Sequence, residues 1–346
     1  MRVIYEFRIP EKYAHRLFGR DEGIRLGDTV RKVLLPGDDP RLPEVGKLDK
    51  AIHEEAKEPP RYFFAGWDIR YCYTKQELRS AAAFKLWPTH TFEPPGEACG
   101  TVYDESIACL QCGAGAKQAS ELRLDLRKAP KSKDIARTIA GEIIASQRLA
   151  EILTDGHYEG FELRPVRHKA RYEDDPLDLH EVPSGRAILQ KAEAVGAPHP
   201  TGSFWVWLNR AENQPLLNQA QAEYAVMRSE KNRRPSKPLP VWYQLVATSA
   251  VEIRPPTLVG VNPFDDDTKG ECRCPRGDTI GLNLLSELWV SEKDFNSCDI
   301  AYTKQYLGVR RGLLRPEPLL LISQRLWQVL EENAVKGLRV EVAHLI

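Results

Sequence analysis

Five of the seven cysteines in this chain fall into two tight groups, Cys99, Cys109 and Cys112 in one and Cys272 and Cys274 in the other. The run Cys109-Leu110-Gln111-Cys112-Gly113 is a knuckle. Its glycine lets the backbone bend so that amide groups face two thiolates, and two such turns complete a tetrahedron around a metal. Gly96-Glu97-Ala98-Cys99-Gly100 has the outline of a second knuckle, with Gly96 where the leading cysteine would stand. Cys99, Cys109 and Cys112 are therefore the expected metal ligands, and zinc held for structural purposes is the expected ion. A fourth donor must come from elsewhere. Cys72 and His90 are the first candidates and Asp104 a weaker one; an empty, packed remnant is the competing reading.

The remaining reactive groups carry less. Glu271-Cys272-Arg273-Cys274-Pro275-Arg276-Gly277 can chelate, and Cys298 can join it, but the run reads more simply as a tight turn with buried free thiols. A disulfide between cysteines at that spacing would be strained. Asp265-Asp266-Asp267 has the charge for a hard cation but no further ligand spacing, so a solvated loop is expected. The histidines, among them His53, His157, His168, His180 and His199, show no paired helical spacing. The chain has no P-loop, no glycine-rich dinucleotide turn, no Gly-x-Ser-x-Gly and no His-Glu-x-x-His. That removes the common enzyme signatures. The aromatics of Phe204-Trp205-Val206-Trp207 and Trp242-Tyr243 alternate as in core strands, with a partner-binding surface as the rival reading.

What positions the cysteines is a repeated order of short blocks. Ser146-Gln147-Arg148-Leu149 recurs as Ser323-Gln324-Arg325-Leu326, and the same alignment matches Leu153 with Leu330 and Gly160 with Gly337. Upstream, Asp134-Ile135-Ala136 with Thr138 answers Asp299-Ile300-Ala301 with Thr303, and Ser120-Glu121-Leu122 answers Ser286-Glu287-Leu288. Leu319 to Ile322 is an apolar tetrad, the pattern of a buried strand, and Ser323 after it is a helix N-cap. Leu326, Val329 and Leu330 then recur at helical spacing, as do Leu149, Ile152 and Leu153. Gly337 and Gly160 close the turn after each helix, and alternation resumes at Leu338, Val340 and Val342 and at Phe161 and Leu163. Each copy is thus expected to be a strand, helix, strand unit on a small sheet.

Elsewhere, Val3 to Arg8 alternates as an opening strand, and Leu34 to Pro60, rich in proline and charge, is expected to be an irregular surface segment. Tyr62 to Tyr73 reads as a half-buried strand, and Thr74 caps an expected helix from Lys75 to Leu86. His168 to Pro183 and Arg228 to Pro240 read as polar loops, while Ser203 to Leu208 and Val241 to Val246 read as strands. The expected fold is α+β with two related modules, residues 1–170 with the knuckles and 171–346 with the second strand, helix, strand copy; the first module carries a partial zinc ribbon.

The 346 residues carry 49 basic and 49 acidic side chains, with 42% hydrophobic content and a mean hydropathy of −0.44. Zero formal charge gives no long-range pull towards phosphate backbones or anionic lipid. No run of about 18 apolar residues is present for a membrane span, and Glu6 and Arg8 interrupt the only apolar stretch that could begin a signal peptide. Grouped cysteines in odd number point to reduced thiols in the cytoplasm.

From Tyr62 to Val166, and more loosely over roughly the last hundred residues, the chain resembles a family of bacterial immunity proteins, known chiefly from myxobacteria and paired with secreted toxins, that is named for a double Cys-x-x-Cys-Gly motif. The resemblance rests on Cys99-Gly100, on Cys109-x-x-Cys112-Gly113 and on the strand, Ser-capped helix, glycine, strand unit that follows. It implies a non-enzymatic protein that neutralises a toxin, its protein partner, by direct binding. Two other functions compete. One is a zinc-ribbon nucleic-acid-binding protein using Arg123, Arg127, Lys128, Lys131 and Lys133, although Glu121, Asp125 and Asp134 interleave with them. The other is a metal-dependent enzyme with Cys99, Cys109 and Cys112 around an open coordination position.

Overall fold

The computed structural model describes residues 1–56, 60–169, 185–194, 207, 210–219, 222–223, 226, 238–266, 270, 272–311 and 314–346. It is a mixed α/β fold with many strands, few helices and several sheets. The expected strand at Ser203 to Leu208 and the two polar loops lie wholly or largely outside the described residues.

The chain opens with β1 (Arg2–Pro10), whose alternation buries Phe7 and Ile9. With β2 (Ile24–Leu26), β3 (Val30–Pro36) and β4 (Gly66–Cys72) it forms a sheet of order β2-β3-β1-β4, antiparallel throughout. Helix α1 (Leu42–Glu55) closes one face with Leu42, Val45 and Ile52. The segment from Leu34 to Pro60 is therefore not irregular. Its prolines punctuate rather than break: Pro36 ends β3 and Pro43 sits in the first turn of α1, where its missing N–H has no helical partner to lose.

Thr74 caps helix α2 (Lys75–Ser80) as expected, with a reciprocal capping box to Glu77. The helix stops at Ser80 rather than Leu86, because Ala83 and Phe84 are needed in β5 (Ala83–Pro88), a strand hydrogen-bonded on both edges. Tertiary demand overrides a short helical pattern there.

Two central sheets follow the repeat. One contains β6 (Thr91–Phe92), β7 (Ile135–Thr138), β8 (Ile143–Ser146), β9 (Phe161–Pro165) and β10 (Trp242–Ala247), in the order β9-β10-β8-β7-β6. The other contains β11 (Ala250–Val251), β12 (Leu288–Val290), β13 (Ile300–Leu307), β14 (Glu317–Ser323) and β15 (Leu338–Leu345), together with β5, along the path β11-β13-β14-β5-β15-β12. β10 lies antiparallel between β8 and β9, as β5 lies antiparallel between β14 and β15. Thr91 pairs in parallel with Arg137, and Ala250 in parallel with Tyr302. Sheet pairing therefore crosses residue 170 in both sheets: each takes one central strand from the other side of it.

Helix α3 (Gln147–Asp155) and helix α4 (Gln324–Glu332) start in the same way. Ser146 and Ser323 accept the N–H of Leu149 and of Leu326 at 3.2 and 3.1 Å, each such cap contributing about 1 kcal/mol. The two serine hydroxyls donate to Asp134 and Asp299, which also hold Arg148 and Arg325. Reciprocity is closest at the glycine turns. Asp134 N–H donates to Lys336 O and Asp299 N–H to Glu159 O, at 2.8 and 2.9 Å. Thr89 N–H donates to Gly337 O and Thr248 N–H to Gly160 O, both at 2.8 Å. Each copy of the aspartate block thus rests on the glycine turn of the other copy. A single apolar cluster, with Ile135, Leu149 and Leu153 beside Ile300, Leu326 and Leu330, runs beneath both helices; full burial of one such side chain contributes about 2 kcal/mol. Among the described residues no helix is long and apolar enough to cross a membrane.

Candidate metal centre

Both cysteine runs fold as tight turns built alike. In the first, Cys109 N–H donates to Ala114 O at 2.8 Å and Gly113 N–H to Cys109 O at 2.7 Å. In the second, Cys274 N–H donates to Thr279 O at 2.7 Å and Gly277 N–H to Cys274 O at 2.8 Å. Gly113 and Gly277 take φ of +73° and +84°, a region that penalises any side chain. A Cβ on Gly113 would also meet Arg310 Cδ at 2.7 Å, so the knuckle is seated against the arginine that follows β13. The short pairing of Tyr103–Asp104 with Lys117–Gln118 carries the first turn, and Thr279–Gly281, added to β13, anchors the second.

These turns meet. Cys109, Cys112, Cys274 and Asp278 each offer one donor atom, and the four atoms lie within 4.8 Å of one another. Cys109 Sγ is 3.6 Å from Cys274 Sγ, and Cys274 Sγ is 3.8 Å from Asp278 Oδ2. A tetrahedral ion with metal–sulfur bonds of about 2.3 Å sets its sulfurs about 3.8 Å apart, so the spacing already suits such an ion. Cys109 and Cys274 are buried, while Cys112 and Asp278 are half-buried.

The electrostatics push the two buried sulfurs in opposite directions. At Cys109 the amides of Cys112 and Gln111 favour the thiolate, but burial and its hydrogen bonds with Asp278 and Cys274 win, and the thiol is pushed up. At Cys274 burial opposes ionisation, yet the amides of Arg276 and Asp278 and the neighbouring thiols bring the group below its ordinary value. The two sulfurs titrate as a pair, one holding the proton that the other gives up. Tyr306, raised chiefly by burial and further by Asp278 and Cys112, flanks the pair. Three soft thiolates and one carboxylate within tetrahedral reach can hold a divalent metal ion, and they fill four positions.

Of the three ligands expected from sequence, Cys109 and Cys112 belong to this group and Cys99 does not. Cys99 is buried in the turn Glu97–Cys99, which Gly100 closes at φ +86°. The fourth-ligand candidates also stand apart from it: Cys72 ends β4, His90 presents its carbonyl to Arg137 N–H at 3.0 Å, and Asp104 accepts from Ser106. Cys298 donates to Phe295 O at 3.5 Å. The candidate donors that the sequence reading does not join to Cys109 and Cys112 are Cys274, which reads there as part of a separate turn, and Asp278, which it does not single out. Their signal is present in the repeat: the shift of 165 residues that carries Asp134 onto Asp299 also carries Cys109 onto Cys274, Cys112 onto Gly277 and Gly113 onto Asp278. At this offset the second turn has Gly277 in place of the second cysteine and Asp278 beside it.

The other candidates settle as follows. Asp265 and Asp266 are exposed in a short strand, and Asp267 lies outside the described residues. In the basic stretch Arg123 and Arg127 pair with Glu121 and Asp125. Trp242 is core. One carboxylate that no motif announces is Glu142, buried between β7 and β8, which accepts Tyr103 OH at 2.8 Å and Gly96 N–H at 3.0 Å; desolvation, only partly offset by these donors, raises it. No family model matches the chain, and neither a curated protein nor a solved structure matches it.

Proposed function

We propose that this chain is a non-enzymatic binding protein that neutralises a protein partner, of the immunity type, by direct contact, and that zinc at Cys109, Cys112, Cys274 and Asp278 fixes its shape. The observation that carries the reading is the closed donor set. Four protein donor atoms lie within 4.8 Å of one another, enough to fill a four-coordinate site, whereas a catalytic zinc keeps one position for water or substrate. In such a centre the free energy of metal binding becomes free energy of folding. The ion joins two turns far apart in the chain, and so ties the segment before β7 to the segment before β13. The scaffold is read as two fused copies of one module that exchange strands β5 and β10, which gives a rigid surface of the kind a tight inhibitor needs, since pre-organisation lowers the cost of binding.

The test is co-expression with the product of the neighbouring gene, followed by size-exclusion chromatography and a growth-protection assay. A stoichiometric complex, with protection lost when the metal is stripped and the fold loosens, supports the reading. Absence of a complex, or zinc-dependent turnover of a substrate by the isolated chain, overturns it. Nucleic-acid binding is not carried by any comparable observation, because the arginines beside the knuckle have acidic partners and the net charge is zero.

A further inference from the structure

The same sulfurs that suit a metal are placed for a second reaction. Cys109 Sγ and Cys274 Sγ are in contact at 3.6 Å, although 165 residues separate them in the chain. On each side of the contact the cysteine opens a turn closed by its own amide-to-carbonyl bonds of 2.8 Å or less, which hold its backbone in place. A disulfide has a sulfur–sulfur bond of about 2.05 Å, so roughly 1.5 Å of approach is needed, which rotation of two short side chains supplies. Access is short as well. Leu110, next to Cys109 in the turn, is 93% exposed, and Cys112 is half-buried, so the sulfurs lie directly beneath the surface.

From this geometry we infer that Cys109 and Cys274 are an oxidation site, which hydrogen peroxide or an organic hydroperoxide converts to a disulfide between the two turns with release of the metal. One thiolate attacks the O–O bond of the peroxide, giving a sulfenic acid and expelling hydroxide or alkoxide. The second thiolate attacks the sulfenic sulfur and expels hydroxide. The two sulfurs together lose two electrons and the peroxide gains them; solvent protonates the two leaving groups. An ion left with Cys112 and Asp278 alone has lost two of its four donors and dissociates. The covalent link then joins the turns that the metal joined before, so oxidation exchanges one cross-link for another instead of opening the fold. The metal-release half rests on the zinc reading above; the thiol pair does not.

The experiment is treatment of the zinc-loaded protein, and of the chelator-stripped protein, with hydrogen peroxide, followed by tryptic digestion without reduction and mass spectrometry. Trypsin isolates Cys274 in the tripeptide Cys274-Pro275-Arg276 and leaves Cys99, Cys109 and Cys112 in the single peptide 86–117. The expected product is that tripeptide joined to peptide 86–117, with fragmentation placing the bridge on Cys109, and about one zinc freed per bridge. The bridge should persist in Cys112→Ser and vanish in Cys109→Ser. A bridge from Cys109 to Cys112, a bridge from Cys274 to Cys112, or thiols oxidised without any bridge would overturn the inference. Failure of the zinc reading looks different: the protein then carries no zinc before treatment, while the bridge still forms in the stripped sample.

Discussion

Replacing Gly337 by alanine puts the reciprocal seating of the repeats to a direct test. Gly337 takes φ +99°, and a Cβ there would stand 2.4 Å from Ile135 O and 3.0 Å from Lys133 Cβ. Ile135 O is strand backbone beneath a packed core, so it cannot withdraw as a flexible side-chain end would. The backbone strain costs about 1–3 kcal/mol. Moving the turn to relieve the clash sacrifices at least two of the bonds that hold it, among Asp134 N–H to Lys336 O, Lys336 N–H to Asp134 Oδ2 and Thr89 N–H to Gly337 O, each 2.8 Å long. At about 1 kcal/mol per bond, the expected loss is about 3–5 kcal/mol, a large part of a typical total of about 5–15 kcal/mol. Gly160→Ala should cost a similar amount, since φ is +92° and Ile300 O stands 2.2 Å from the new Cβ. Gly27→Ala is the control, because φ is +70° but nothing lies within 4 Å; only the backbone strain of about 1–2 kcal/mol is expected there. Urea unfolding followed by tryptophan fluorescence gives the comparison, read as midpoint shifts at unchanged slope. If Gly337→Ala costs no more than Gly27→Ala, the two copies do not lean on each other as described.

Three further outcomes are expected. Burial raises Asp299, but Arg325, the Ser323 hydroxyl and the Glu159 amide more than offset it, so its carboxyl is depressed on folding. Such a group contributes stability above its unfolded value of about 3.9 and loses it as the pH falls through the lower folded value; Asp299→Asn should therefore be less stable at neutral pH with a shallower decline in acid, and parallel profiles would contradict this. Glu142 is raised by desolvation, so its charge costs stability as the pH climbs above the unfolded value of about 4.3; thermal melts of Glu142→Gln at pH 7 should match or exceed the parent, with the advantage shrinking towards pH 4. Cys99→Ser should retain the metal and Asp278→Ala should bind it more weakly, measured by competition with a chromogenic chelator; equal retention in both would remove Asp278 from the donor set.

Much of the scaffold was legible in the sequence because it is written twice. Matching Ser146 to Ser323 and Gly160 to Gly337 located two capped helices and two glycine turns, and local rules govern those positions: a hydroxyl accepts an orphan amide, and a positive φ needs glycine. What local pattern could not convey was partnership. Nothing near Ala83 states that it will pair with Ser323, or near Trp242 that it will pair with Ser146. Exchange of those strands follows from packing between distant segments. The candidate metal donors divide in the same way. Cys109 and Cys112 were found from their spacing, whereas Cys274 and Asp278 are legible only if the repeat offset is applied to the cysteines themselves, and Cys99 misled because its turn has the outline of a knuckle without a facing partner turn. In the stretch from Leu34 to Pro60, proline content hid a helix whose apolar positions, Leu42, Val45, Leu48 and Ile52, keep helical spacing.

The most direct measurement is the zinc content and melting temperature of the purified protein beside its Cys274→Ser variant. If the centre joins the two turns, the parent carries about one zinc per chain and the variant loses both the zinc and a substantial part of its thermal stability. A Cys274→Ser protein that keeps its zinc and its melting temperature, while Cys99→Ser loses them, would contradict the assignment.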